Sequence, residues 1–138
     1  MITAFVPCRK GSERVKNKNT KRFCEFKKGL LEIKVAQLLN CKSIDNIIFS
    51  TNDNSIINFL KSFNNERLKI LQRQESLCSS ITSTDELIEY VPSIIPEGDI
   101  LWTHVTSPFI SSKIYERAIK VYLNRENSFD SLFSVNAI

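Results

Sequence analysis

Apolar residues along this chain recur at two spacings. ITAFVPC (residues 2–8) is an apolar run with β-branched members, the pattern of a buried strand. A polar segment follows to Gly29, and then Leu31, Val35, Leu38 and Leu39 repeat at helical spacing. NIIFST (46–51) predicts a second strand. Asn52, Asp53 or Asn54 supplies the cap of a helix with Ile56, Leu60 and Phe63 on one face. LKILQ (68–72) predicts a third, weaker strand. Ser83, Thr84, Asp85 and Glu86 have the S-x-x-E spacing of a capping box. The helix behind it carries Leu87, Ile88 and Val91 and is expected to stop at Pro92. DILWTHVT (99–106) predicts a fourth strand, broken by Pro108. Ser111 or Ser112 then opens a helix through Ile114, Ala118 and Val121, and DSLFSVNAI (130–138) predicts a fifth strand.

Apolar strands alternating with helices imply an α/β fold: a Rossmann-like, mainly parallel sheet with helices on both faces. The 138 residues suit one domain, with no repeat or linker. The last predicted strand has no helix after it, so the pattern reads as a domain truncated at its C-terminal end.

Composition adds exclusions. Hydrophobic residues at 42% and charged residues at 25% are ordinary for a globular chain and argue against disorder. There is no apolar run of about 18 residues, as a transmembrane helix would need. The N-terminus lacks the basic and long apolar regions of a signal peptide, so a cytoplasmic location is expected. The four cysteines (8, 24, 41 and 78) form no CxxC pair, and His104 is the only histidine; a structural zinc site is not expected. Free, mostly buried thiols fit a reducing compartment.

Charge changes the picture more. The net charge is +4, yet residues 8–28 hold nine basic and two acidic side chains, a local +7 that leaves the remainder at −3. Local excess of this kind points to a site for an anion. The basic segment leaves the carboxyl end of the first predicted strand, where open α/β sheets bind ligands. Neither GxxxxGK[ST] nor GxGxxG is present, which argues against a P-loop or dinucleotide fingerprint. What remains is a longer loop turning at Gly11 and Ser12, whose backbone N–H groups suit an anion cradle, with Arg9 and Lys18 as clamps. Charge alone leaves open a solvated loop or contact with nucleic acid.

The residues themselves carry a resemblance. VPCRKGSERVKNKN (6–19) resembles the N-terminal signature of the sugar cytidylyltransferases, with Arg9, Gly11, Ser12, Lys18 and Asn19 on its key positions. The branch it most resembles is the acylneuraminate cytidylyltransferases (CMP-sialic acid synthetases). IIFSTNDNSI, LQRQESLCSSITST and ILWTHVTSPF resemble later family segments in order and spacing. The likeness spans nearly the whole chain, which corresponds to the N-terminal, nucleotide-binding portion of one family domain of the nucleotide-diphospho-sugar transferase type.

The resemblance implies transfer of CMP from CTP to a sialic-acid-like keto-sugar acid, with release of pyrophosphate. It makes Arg9 and Lys18 the catalytic pair holding the triphosphate. Gly11, Ser12, Asn19, Arg73 and Thr84 become nucleotide contacts, and His104, Thr106 and Ser107 face the sugar. It also implies Mg²⁺, whose carboxylate ligands would lie in the C-terminal part that this chain lacks. No D-x-D spacing follows a predicted strand, and Asp53 and Asp85 read as helix caps. The family's homodimer is a further implication, while no nucleic acid or membrane partner is expected. Strand alternation would put His104 on one face with Trp102 and Thr106. The family glutamine of this strand is replaced around Trp102–Val105. Cys8 is read as buried packing, and Lys21, Arg22, Lys27 and Lys28 as solvated surface. Two rival readings remain: a CTP- or CDP-binding module without turnover, and, behind it, a nucleic-acid-binding domain using the +7 segment.

Overall fold

The computed structural model describes residues 1–11, 15–73, 84–125 and 128–135. Strand β1 (Ile2–Pro7) lies between β2 (Asn46–Thr51) and β4 (Asp99–Trp102), and β3 (Leu68–Gln72) pairs with the far side of β2. All three pairings are parallel, and the sheet order is β3-β2-β1-β4. The helices are α1 (Gly29–Leu39), α2 (Asn54–Lys61), α3 (Thr84–Ile94) and α4 (Ser112–Leu123).

Side-chain alternation along the strands divides the core. Ala4 and Val6 of β1 pair in register with Ile47 and Phe49 of β2 and share one face. That face is covered by Leu31, Val35 and Leu38 of α1, Ile56 and Leu60 of α2, and Tyr115 and Ile119 of α4. Phe5, Ile48 and Trp102 point the other way, against Leu87 and Val91 of α3. Both faces are therefore closed, as an all-parallel sheet requires. Each fully buried Leu, Ile or Phe contributes about 1.5–3 kcal/mol of transfer free energy.

Several sequence expectations need correction. Pro92 does not stop α3, which runs on to Ile94. The carbonyl that its missing N–H leaves free belongs to Ile88, an exposed position where water can serve instead. The capping-box residue Ser83 lies outside the described residues. Strand β4 ends at Trp102, not Thr106, because the chain turns there: Ser107 N–H donates to the His104 carbonyl at 3.2 Å. The buried positions of α4 are Tyr115 and Ile119, while Ile114 and Val121 are half exposed. Of the fifth predicted strand, residues 130–135 are irregular and exposed, and 136–138 lie outside the described residues. By contrast, Asp53 caps α2 as expected, its carboxylate accepting the Ser55 N–H at 2.8 Å. Among the described residues no helix is long and apolar enough to cross a membrane.

Candidate nucleotide-binding site

The chain leaves β1 toward β2 on one side, while β4 lies on the other side of β1. This is a topological switch point, and the loops at the carboxyl ends of β1 and β4 flank the crevice it opens. The basic segment is one of these loops; the turn 103–108 is the other.

The described residues of the basic segment are anchored to the sheet end at its start and to α1 at its far side. Cys8 N–H continues the ladder to the Ser50 carbonyl (2.9 Å), and Lys10 N–H donates to Asn52 Oδ1 (2.7 Å). Gly11 follows with φ +81°, a left-handed conformation that glycine adopts freely, and the space where a Cβ would stand is open. Farther along, Asn17 (φ 53°) turns the chain, and its carbonyl accepts from Thr20 and Lys21. The Asn19 carbonyl accepts from Leu31 N–H at the start of α1 (2.9 Å). Gly29 allows this docking, because a Cβ there would stand 2.0 Å from the Lys21 carbonyl oxygen. Glu32 reaches back to the Lys28 N–H (2.9 Å) and secures the first turn of α1.

Within this frame Arg9 is half-buried just past β1, and Lys18 is exposed. Asn19 turns inward, its amide donating to Cys8 Sγ at 3.3 Å. Ser12 lies outside the described residues. Arg73, the first residue beyond β3, is buried and held by Ser50: Nε donates to Ser50 Oγ and Nη2 to the Ser50 carbonyl, both at 3.1 Å. Arg9, Gly11, Asn19 and Arg73 thus gather at the carboxyl ends of β1, β2 and β3, with Ser50 joining the Cys8 and Arg73 contacts. Thr84 is exposed at the first position of α3.

Burial, with the nearby Asp53 carboxylate adding to it, pushes the Cys8 thiol up to about 12. It is a neutral packing group at physiological pH, in keeping with the absence of any nucleophilic assignment.

On the β4 side, His104 and Thr106 are exposed and Ser107 is half-buried. Trp102 is half-buried against Phe5, with ring centroids 5.1 Å apart, and its indole N–H donates to His104 Nε2 at 3.0 Å. Nε2 therefore accepts, which leaves the neutral ring's proton on Nδ1. Desolvation, and then the charge of Lys34, hold the His104 pKa below its ordinary value. His104 is thus a neutral donor through Nδ1, oriented by Trp102. Thr106, expected on the same strand face, lies in the turn instead.

Three contributors were missed in the sequence. Asn52 was weighed only as a helix cap. Lys34 and Tyr115 sit behind the β4 turn, where the Lys34 ammonium donates to the Ser107 carbonyl (2.8 Å) and to Tyr115 Oη (2.7 Å). A signal for Lys34 existed: it falls one turn from Leu31 and Leu38, on the apolar face of α1.

Among the described residues no group of three His, Cys, Asp or Glu side chains converges.

A sequence model described as cytidylyltransferase matches residues 3–137. The chain belongs to the cytidylyltransferase family. No curated protein matches the chain at a significant level. Among solved structures, it is similar to a CMP:2-keto-3-deoxy-manno-octonic acid synthetase complexed with CTP, at 16% identity and a TM-score of 0.69 over 89% of this chain and 47% of that one. It is also similar to a cytidylyltransferase from Leptospira borgpetersenii serovar Hardjo-bovis, at 17% identity and a TM-score of 0.64 over 91% of this chain and 50% of that one. At these identities the likeness concerns the fold. The chain spans about half the length of both structures.

Proposed function

We propose that this chain is the CTP-binding half of an enzyme that transfers CMP to a keto-sugar acid of the sialic acid type. The observation that carries the reading is the basic loop: it leaves the carboxyl end of β1 and is tied to that of β2, through Cys8 N–H to the Ser50 carbonyl and Lys10 N–H to Asn52, beside the switch point. Arg9 and Lys18 clamp the triphosphate, the first as a planar fork and the second as a mobile point charge. Gly11, with open space above it, lets phosphate approach the backbone, and Ser12 and Asn19 assist. Arg73 and Thr84 meet the nucleotide. The sugar's anomeric hydroxyl attacks the α-phosphorus and gives up its proton to solvent, the bond from that phosphorus to the α,β-bridging oxygen breaks, and pyrophosphate leaves. Charge develops on phosphate oxygens, so positioned cations supply the catalysis available from these residues. The acceptor lies across the crevice, at His104, Thr106 and Ser107. His104 offers Nδ1–H to a hydroxyl or carboxylate of the sugar.

A thermal-stability titration tests the reading, with CTP, ATP and a random oligonucleotide compared in the presence and absence of Mg²⁺. CTP at a hundred times its dissociation constant adds about 2.7 kcal/mol to stability. A CTP-selective rise supports the proposal; oligonucleotide binding with no nucleotide effect contradicts it. Pyrophosphate release with N-acetylneuraminate then separates an enzyme from a CTP-binding module.

A further inference from the structure

Lys34 is fully buried, among Leu31, Val35 and Leu38 of α1. Burying an ammonium is costly unless it is paired. Among the described residues its partners are a carbonyl and a phenol, not a carboxylate. The phenol bridges onward, with Tyr115 Oη and Thr103 Oγ1 2.6 Å apart. The ammonium also lies 4.9 Å from the centre of the Tyr115 ring, a cation–π arrangement. One turn along α1, Gln37 Nε2 donates to the Pro108 carbonyl at 2.5 Å. Helix α1 thus grips both ends of the turn 103–108: Thr103 through Tyr115, and Ser107 and Pro108 directly. An apolar residue in place of Lys34 would fill the core more simply and leave the Ser107 carbonyl without this donor.

We infer that Lys34 is a positioning residue for the acceptor side of the site. Through Ser107 and Tyr115 it fixes the turn that presents His104 and Thr106. The inference rests on reading that turn as the acceptor side. It divides the labour of α1 along its length: the N-terminal end anchors the basic loop through Leu31 and Gly29, and the middle anchors the β4 turn through Lys34 and Gln37. The two halves of the crevice are therefore set against one rigid element.

The titratable groups around Lys34 are His104 from the β4 turn, Tyr115 from α4 and, behind Tyr115, Cys41 just past α1. His104 gives a direct readout, since it is the only histidine of the chain. The variant is Lys34→Met, which keeps the stem and removes the cation; Tyr115→Phe, which removes the phenol bridge between Lys34 and Thr103 but keeps the Lys34–Ser107 bond, serves as a milder second. In Lys34→Met the His104 pKa, followed by NMR, rises toward its ordinary value. Amide exchange at Ser107 and Ile110 accelerates about tenfold or more, while exchange at Cys8 and Lys10 stays unchanged. Tyr115→Phe shows the same exchange pattern at smaller amplitude. In the presence of CTP, affinity for N-acetylneuraminate falls by about tenfold, with CTP affinity unchanged. An unmoved His104 titration and unchanged exchange in both folded variants would overturn the inference. So would equal loosening of the basic loop, or unchanged acceptor affinity. Wild-type protein that binds neither ligand overturns the functional reading instead, and the His104 titration and exchange then decide the tether by themselves.

Discussion

Two glycines of the basic segment illustrate how differently one residue type is used. Gly29 and Gly11 both have positive φ, but only Gly29 is crowded, with the Lys21 carbonyl in the space of a Cβ. Gly29→Ala combines left-handed strain, about 1–2 kcal/mol, with displacement of the Lys21–Asn19 stretch that docks on α1. It is expected to lower stability by more than about 2 kcal/mol and to weaken CTP binding as well. Gly11→Ala meets strain alone, and its stability loss is expected near 1 kcal/mol. Denaturant unfolding of the two variants checks the order; equal losses would contradict the docking. The cysteines make a second residue-scale prediction. Cys8 and Cys41 are buried, and burial pushes their thiols up to about 12 and about 11, whereas Cys24 is exposed. Alkylation of the folded protein near neutral pH is expected to label Cys24 and to spare Cys8 and Cys41 until the chain unfolds. Peptide mapping that finds Cys8 labelled in the native state would overturn its assignment as inert packing. At this scale the sequence was informative where the chemistry is local. Arg9 and Lys18 stood out by charge, Gly11 by turn chemistry, and Asn19 by the family resemblance. The Trp102–His104 hydrogen bond was not foreseen, because the strand was expected to continue through both residues.

Among elements, α1 does the most. Its first turn receives the basic loop, its middle holds the β4 turn, and Arg67 from the start of β3 donates to the carbonyls of Leu39, Cys41 and Ile44 at its C-terminal end. Glu116 of α4 accepts from Lys42 N–H, Ser43 N–H and Ser43 Oγ, tying α4 to the same junction. The buried cation in this helix makes stability depend on pH. Desolvation lowers the Lys34 pKa from 10.5 to about 8 in the folded state. Between these values the unfolded chain binds more protons than the folded one, so this group's contribution to stability rises with pH across that window. Cys8 and Cys41 work oppositely: their raised pKa values keep them protonated when folded, and the stability this confers is lost above pH 9. They are common to wild type and Lys34→Met, so they cancel in the difference between the two. The stability of wild type relative to Lys34→Met is therefore expected to increase from about pH 8 to about pH 9.5. A flat or falling difference in urea unfolding would contradict a buried Lys34. Element existence was well signalled by apolar spacing, since strands β1 to β4 and all four helices lie where the pattern put them. Boundaries were not. The end of β4 depends on the turn that Lys34 and Gln37 hold from another element, and nothing in residues 99–106 encodes that partner. The residues of the expected fifth strand, Leu132, Phe133 and Val135, are apolar enough to read as a strand, yet they remain exposed.

For the whole molecule, the sheet order β3-β2-β1-β4 matters most, because it sets the +7 segment and the β4 turn on either side of one crevice. Parallel pairing was legible from the alternation of strands and helices, but strand order was not, since it is decided by which helices cover which face. The charge asymmetry then acquires a place: the basic segment begins at the carboxyl end of β1, with Arg9 just past the strand beside the crevice. The proposed function has Arg9 and Lys18 hold the triphosphate of CTP. Calorimetric titration of CTP and of cytidine into wild type and the Arg9→Ala/Lys18→Ala double variant tests it most directly. A lost hydrogen bond to a charged group is worth about 1.5–3 kcal/mol, so each substitution alone is expected to weaken CTP binding by about ten- to a hundredfold. Wild type is expected to bind CTP far more tightly than cytidine, and the folded double variant to lose this preference. A double variant that keeps wild-type affinity for CTP would contradict that proposal.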